Sequence, residues 1–296
     1  MFFKRHRWAI VYTLALLGFT TYLAVDTFAI SRVYTVVESE ASNTSETASS
    51  SNIVSTETAY SDDNITISLT EYREYDTSIY VADVQVSSPE YLKTALAQNA
   101  YGRNVTEKTS EMAEDNNAIL AINGDYYGAQ ESGYVIRNGV IYRDTASEGQ
   151  EDLVVYQDGS LGIIQEDEIT AQELLDDGAQ QVLSFGPALL ENSTISVSQN
   201  DEVGKAKASN PRTAIGMIDD LHYVFVVSDG RTSESTGLSL YQMAEFMQSL
   251  GVETAYNLDG GGSSTMYFNG EVVNNPTTNG NRIEERSVSD IVYIGE

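Results

Sequence analysis

The chain has 296 residues, room for one large domain or two small ones, and an ordinary apolar share of 41% that can fill a sizeable core. Sixteen Lys and Arg stand against 44 Asp and Glu, a formal charge of −28, so the folded part should repel nucleic acid and anionic lipid surfaces. There is no Cys, and the only histidines are His6 and His222, which argues against thiol catalysis, cysteine metal sites, a Ser-His-Asp triad and HExxH zinc chemistry.

Lys4-Arg5-His6-Arg7 is the one dense basic cluster, and Trp8 to Val25 after it carry no charge. That length just reaches across the hydrocarbon core of a bilayer. The basic flank predicts a cytoplasmic tail over 1–7, a transmembrane signal anchor over 8–25 and an extracellular remainder. The protein is thus expected in the cell membrane as a single-pass protein, with the lipid bilayer as a partner of its N-terminal helix. The competing reading is a signal peptide cleaved near Thr27-Phe28-Ala29. Residues 26–63, dense in Ser, Thr, Asn and Glu from Glu38 onward, read as a flexible stalk. An extracellular chain without Cys must be held by its core alone, which suits a Gram-positive-type envelope.

The folded domain is expected over 64–296. Asn64 to Thr70 alternates at period two, and Ile79 to Val86 is a second strand. Pro89 to Ala97 reads as a helix behind Ser87 or Ser88, and Thr106 to Asp115 as another short one. Ala118 to Ile122 is an apolar strand running into Asn123-Gly124-Asp125-Tyr126-Tyr127. Hairpins turn at Asn138-Gly139 and Asp158-Gly159. Thr170 to Asp177 is a short helix, and Thr213 to Met217 with Leu221 to Val227 a strand pair. Leu240 to Leu250 is an amphipathic helix between Ser239 and Gly251. Thr254 to Leu258, Met266 to Phe268, Glu271 to Val273 and Ser289 to Ile294 are further strands. Many strands with few scattered helices predict an α+β fold with a mixed, largely antiparallel sheet.

Several of these strands end in an acid, an arginine or a glycine, and loops at strand ends are where sites are built. The most informative run is Asn257-Leu258-Asp259-Gly260-Gly261-Gly262-Ser263-Ser264-Thr265. Three glycines cost backbone entropy but let N–H groups point at an anion. A Gly-rich hairpin with a solvated Asp is the plainer alternative. Asn210-Pro211-Arg212-Thr213 brings a guanidinium fork to a strand start, suited to phosphate or carboxylate. Ser228-Asp229-Gly230-Arg231 closes an apolar strand, and Glu284-Glu285-Arg286 precedes the last one. With histidine nearly absent, proton transfer falls to carboxylates, tyrosines or water.

In this order and spacing, the Asn123, Asn210, Asp229, Asn257 and Glu285 motifs resemble the phosphodiester glycosidase family, whose bacterial members include exopolysaccharide-biosynthesis proteins. The likeness covers roughly residues 64–296. Where members often read Arg-Pro-Val-Ser-Asn, this chain has Arg286-Ser287-Val288-Ser289-Asp290. The resemblance implies hydrolysis of a sugar-1-phosphodiester in envelope or exopolysaccharide glycans. Asp259 then activates water or stabilises an oxocarbenium-like centre, with Asp125 and Glu285 as the other catalytic carboxylates. Gly260, Gly261, Gly262, Ser263 and Ser264 cradle phosphate. Arg212 and Arg231 pair with it, with Thr213, Asp229 and Arg286 beside them, and Asn123 and Asn257 orient sugar or carboxylate. No cofactor or metal site is assigned, although oxygen ligands at Asp125, Asp229 or Asp259 would suit calcium or magnesium. Two other readings are a non-catalytic glycan-binding protein and an enzyme of phosphoglycosyl transfer in wall or capsule assembly.

Overall fold

The computed structural model describes residues 7–28, 30, 32–36, 53–201, 209–278 and 282–296. Two packed layers of strands form the body. A nine-stranded sheet runs, in spatial order, Thr194–Ile195, Ala188–Glu191, Thr254–Leu258, Arg212–Asp219, His222–Ser228, Thr77–Val86, Ile65–Glu74, Ala59–Ser61 and Val54–Ser55. Two five-stranded sheets face it. One contains Leu120–Asn123 flanked by Met266–Phe268 and Asp290–Ile294, and the other is built on Glu151–Tyr156 and Ala179–Leu183. Neighbouring strands pair antiparallel throughout the described residues. Among the described residues, a parallel contact occurs only as an isolated bridge between Thr277 and Glu284.

Period-two patterning explains the layering. Along His222–Ser228, Tyr223, Phe225 and Val227 turn into the central core, where they meet Leu120, Ile122, Leu153 and Leu183 of the facing sheets. Val224 and Val226 turn outward and are covered by the helix Leu240–Ser249 through Leu240, Met243, Phe246 and Met247. Ser239 caps that helix by accepting the N–H of Gln242, worth about 1 kcal/mol. Each five-stranded sheet is covered in the same way. Met112 and Ala113 of helix Thr109–Asp115 pack on one, and Leu174 of helix Ala171–Asp176 on the other.

Three expectations change. The helix over 89–97 does not form; Pro89–Tyr91 makes one tight turn and Leu92–Leu96 becomes an edge strand paired with Asp290–Ile294. Leu92 enters the central core and Ala95 the outer one, so burial on alternate faces overrides the helix signal. The expected stalk also carries structure. Val54–Ser55 and Ala59–Ser61 extend the large sheet, and Arg32–Val36 pairs with Ala100–Arg103. The tail 1–6 and residues 37–52 lie outside the described residues. Finally, the apolar run does form a helix, Arg7–Phe28. Among the described residues, however, no helix is long and apolar enough to cross a membrane. Tyr12, Thr13, Thr20, Thr21 and Tyr22 dilute this one, and Thr20 turns its hydroxyl back to the carbonyls of Leu16 and Leu17.

Candidate active site

The sandwich brings four strand ends to one place. In the register, Thr213 sits opposite Leu258 in the large sheet, and Ile291 opposite Asn123 in its neighbour. Arg212 therefore opens its strand beside Asp259, and Asp290 opens its strand beside Asn123 and Gly124. Asn123 joins the two sheets. Its Nδ2 donates to the carbonyl of Asp259 at 2.6 Å, and its Oδ1 accepts from Thr213 Oγ1 at 2.8 Å and the Thr265 N–H at 3.2 Å. Gly124 is needed for closeness, since a Cβ there would lie 2.4 Å from Asp290 Oδ1.

A cleft of about 450 Å³ opens at this junction. Arg212, Arg231, Arg286, Asp259, Gly260 and Gly261 line it. Asp259 is 8% exposed. Its Oδ2 accepts from Arg286 Nη2 at 3.0 Å and from Ser263 Oγ at 2.5 Å. Arg286 also donates to the Ser263 hydroxyl through Nε, at 3.0 Å, and Nη2. Burial pushes the Asp259 carboxyl up, while the Arg286 charge and the Ser263 and Gly260 hydrogen bonds pull it down. Arg231 donates Nε and Nη2 to Asn210 Oδ1 at 3.3 and 3.2 Å. Burial lowers its guanidinium from the ordinary value, and the like charge of Arg286 lowers it further. Arg212 is buried and donates Nε to the Leu238 carbonyl at 3.0 Å. Two cations that repel one another across a cleft favour an anion between them.

The glycines serve this cleft differently from the expected nest. The N–H of Gly260 turns to Asp259, that of Gly261 to the Pro211 carbonyl, and those of Ser263 and Ser264 to Gly260 and Gly261. Gly261 (φ +64°) instead makes room: a Cβ there would stand 2.6 Å from Arg231 Nη2. Gly262 and Ser264 are buried off the cleft, and Ser263 reaches it only through Asp259 and Arg286.

Other predicted site residues hold the framework. Asn123 and Thr213 are wholly buried and bind each other. Asn257 donates Nδ2 to the Gly186 carbonyl at 2.7 Å, tying down the loop that carries Phe185. Asp229 is pushed up by burial and accepts from Asn275 N–H at 2.8 Å, from Asn274 and Asn275 side chains, and from Tyr80. Glu285 turns away to helix Thr109–Asp115, accepting the Ser110 N–H at 3.1 Å and hydroxyl at 2.6 Å. Asp125 is buried and accepts from Tyr127 N–H at 2.9 Å, Ser184 N–H at 3.0 Å and Arg137 Nη2 at 2.9 Å. Of the three proposed catalytic carboxylates, only Asp259 lines the cleft. Asp125, Asp229 and Asp259 each have a separate partner set. Among the described residues, no group of three or more His, Asp or Glu gathers as a metal site.

Sequence reasoning passed over Gln130 and Phe185 and gave Asn210 no role within its motif; all three complete the cleft wall with Tyr126, 44% exposed. It also passed over Arg137, whose Nη2 bridges Asp125 and Asp290 Oδ2, the latter at 2.6 Å. The Tyr126-Tyr127 pair was visible as aromatics near an acid; nothing local marked Arg137 or Phe185.

Residues 116–295 match the phosphodiester glycosidase family. The chain is 31% identical over 199 residues to the SPbeta prophage-derived uncharacterized protein YomE of Bacillus subtilis, a span of 66% of this chain and 30% of that one. It is 30% identical over 193 residues to human N-acetylglucosamine-1-phosphodiester alpha-N-acetylglucosaminidase, 59% of this chain and 36% of that protein. The matched segments thus span about a third of the length of either relative. The solved catalytic domain of the zebrafish enzyme of that name, auto-inhibited by its pro-peptide, has the same fold. The TM-score is 0.62 at 20% identity, with 90% of this chain and 88% of that one covered.

Proposed function

Because the chain belongs to the phosphodiester glycosidase family, we propose that it hydrolyses a sugar-1-phosphodiester at the glycosidic carbon–oxygen bond. The observation that carries this reading is the meeting of Arg212, Arg231 and Arg286 with Asp259 in one cleft of a chain charged −28. Cations gathered against the overall field mark a place for an anion. Phosphate is a weakly basic leaving group, so its departure needs charge stabilisation more than a strong acid. Arg231 and Arg212 hold the phosphate oxygens as the C1–O bond breaks. The Asp259 carboxylate takes a proton from the attacking water, whose oxygen bonds to C1, and the phosphomonoester leaves with the electron pair. Tyr126 offers a ring face to the sugar.

The finer setting is also a proposal. The basic cluster at 4–7 and the uncharged run 8–25 are the sequence features that support an anchored protein whose domain works outside the membrane on envelope or exopolysaccharide glycans. Proteolysis of intact cells checks this; cleavage of the domain only after lysis refutes it.

The decisive assay is release of phosphomonoester from a sugar-1-phosphodiester by the full-length chain and its Asp259→Asn variant. We expect turnover by the former and a loss of at least about a hundredfold in the latter. Equal rates would remove Asp259 from the chemistry. Product analysis with a glycan acceptor present distinguishes hydrolysis from transfer.

A further inference from the structure

A second hollow, of about 230 Å³, adjoins the cleft. The segment from Tyr126 to Glu131 divides them. Tyr126 lines the cleft, Tyr127 and Gly128 line the hollow, and Gln130 lines both. The partition is pinned from below. Arg143 Nη1 donates to the carbonyls of Tyr127 at 3.1 Å and Gln130 at 2.7 Å, and its Nε to that of Gly133 at 2.5 Å.

The hollow has aromatic walls and a polar rim. Tyr101 stacks on Tyr127 with ring centres 5.4 Å apart and planes 17° apart. Tyr34 leans on Tyr101 at 5.9 Å and 45°. The strand Arg32–Val36 slips its register against Ala100–Arg103 between Val33 and Thr35, at Tyr34. Such bulges re-aim a side chain beside a site. Tyr34 is 61% exposed and lines the hollow. At the rim Arg103 and Glu131 pair at 2.8 Å. The proposed bond cleavage uses none of Tyr34, Tyr101, Arg103 or Glu131.

We propose that this hollow is a second subsite, holding a neutral pyranose ring of a glycan whose phosphodiester lies in the cleft. The inference rests on the phosphodiester reading of that cleft and deepens it: the substrate is a chain of sugars rather than a lone sugar phosphate. Three features favour a neutral ring. The volume is below that of pockets for drug-sized ligands and fits one ring. An exposed tyrosine face beside fixed planar groups offers both apolar contact and paired hydrogen bonds to vicinal hydroxyls. Arg103 and Glu131 compensate each other at the rim, and Arg143 spends Nε and Nη1 on the carbonyls of Gly133, Tyr127 and Gln130, so the hollow carries one uncompensated cation against the three arginines of the cleft. Gln130, shared by both cavities, places consecutive units of one ligand within reach of a single amide.

Calorimetric titration of full-length Asp259→Asn protein with neutral trisaccharides of N-acetylglucosamine, glucose and galactose tests the subsite without requiring turnover. At least one is expected to bind. Adding Tyr34→Ala should weaken that binding about five- to tenfold, and Tyr34→Phe, which keeps the ring, should restore it. Failure of all three sugars to bind, or an unchanged Kd in Tyr34→Ala, overturns the proposal. In the active protein, kcat/KM for a phosphodiester carrying three sugars, relative to one carrying a single sugar, should fall by the same factor in Tyr34→Ala. An unchanged ratio overturns the chain-substrate inference. Hydrolysis of neither substrate by the wild-type chain would instead overturn the reading of the cleft, with the titration still deciding the subsite.

Discussion

Replacing Arg286 by Gln tests how the cleft keeps Asp259 charged. Arg286 Nη2 stands 3.0 Å from Asp259 Oδ2. A pair of unit charges about 4 Å apart is worth roughly 4 kcal/mol at an effective dielectric of 20. The Asp259 side chain is only 12% exposed but that of Arg286 is 42% exposed, so water and salt reduce this. About 1–2 kcal/mol should remain, a factor of roughly five to thirty in the ionisation balance of Asp259. Burial already holds that carboxyl above its ordinary value, and the Arg286 charge is the largest force opposing it. In the proposed chemistry the active form is the carboxylate, so activity is expected to be lost as pH falls through the native pKa of Asp259. Without Arg286 the acid limb of kcat/KM must move to higher pH, and by less in strong salt. Arg286→Lys should keep most of the wild-type limb. The assay is the pH–rate profile of all three proteins on one sugar-1-phosphodiester. A uniform drop at every pH, with the limb unmoved, would refute the argument and leave Arg286 as a phosphate contact alone.

Three further outcomes follow from the framework behind the cleft. Arg137→Met leaves Asp125 and Asp290 buried beside an apolar chain and should cost about 3–5 kcal/mol in urea unfolding; a loss below about 1 kcal/mol would show the pair is not held by this guanidinium. Gly261→Ala adds a Cβ at φ +64° and 2.6 Å from Arg231 Nη2, so inhibition by inorganic phosphate should weaken about tenfold, and an unchanged inhibition constant would place the anion elsewhere. Asp290 is raised to about 8 and Asp152 well above the ordinary value, both first by burial. The native state then holds protons that the unfolded chain has released, and stability must fall as pH rises from about 4 through these values. Asp62, lowered from its ordinary value, acts only below that window. Urea midpoints should decline between about pH 5 and 8, and Asp290→Asn should flatten the slope; a rise over that range refutes it.

Local chemistry was legible wherever the backbone had to obey it. The Asn138-Gly139 turn appears with φ of 51° and 71°, Gly251 ends the Leu240–Ser249 helix at 84°, and Asn269-Gly270 turns at 48° and 97°. Residue type alone dictates such positions. The convergence of Arg212, Arg231, Arg286 and Asp259 was legible for another reason: in so acidic a chain, arginines at strand ends stand out. What failed was the division of labour within motifs. Asn123, Asp125 and Asn257 sit at strand ends like Asp259, yet their side chains close hydrogen bonds across sheets. Which strand end faces solvent depends on how the two layers stack, and that pairing spans more than a hundred residues. Glu285 and Arg286 are chain neighbours that point to different elements, a helix start and the cleft, because adjacent side chains on an extended segment diverge.

The same logic explains why the glycine run does not make a phosphate nest. A nest needs consecutive N–H groups with no other acceptor. Here Gly260 to Ser264 fold into one tight turn that consumes most of its own donors. Its missing side chains admit the Arg231 guanidinium from one side and the Pro211 carbonyl from the other. The proposed anion binding then rests on a side chain, the Arg231 guanidinium, with Gly261 as the space it occupies. A guanidinium keeps its full charge against the field of an acidic protein, whereas a few backbone dipoles supply only part of one. For the proposed phosphodiester, arginines over a glycine floor are therefore the stronger grip in a chain with 44 acids.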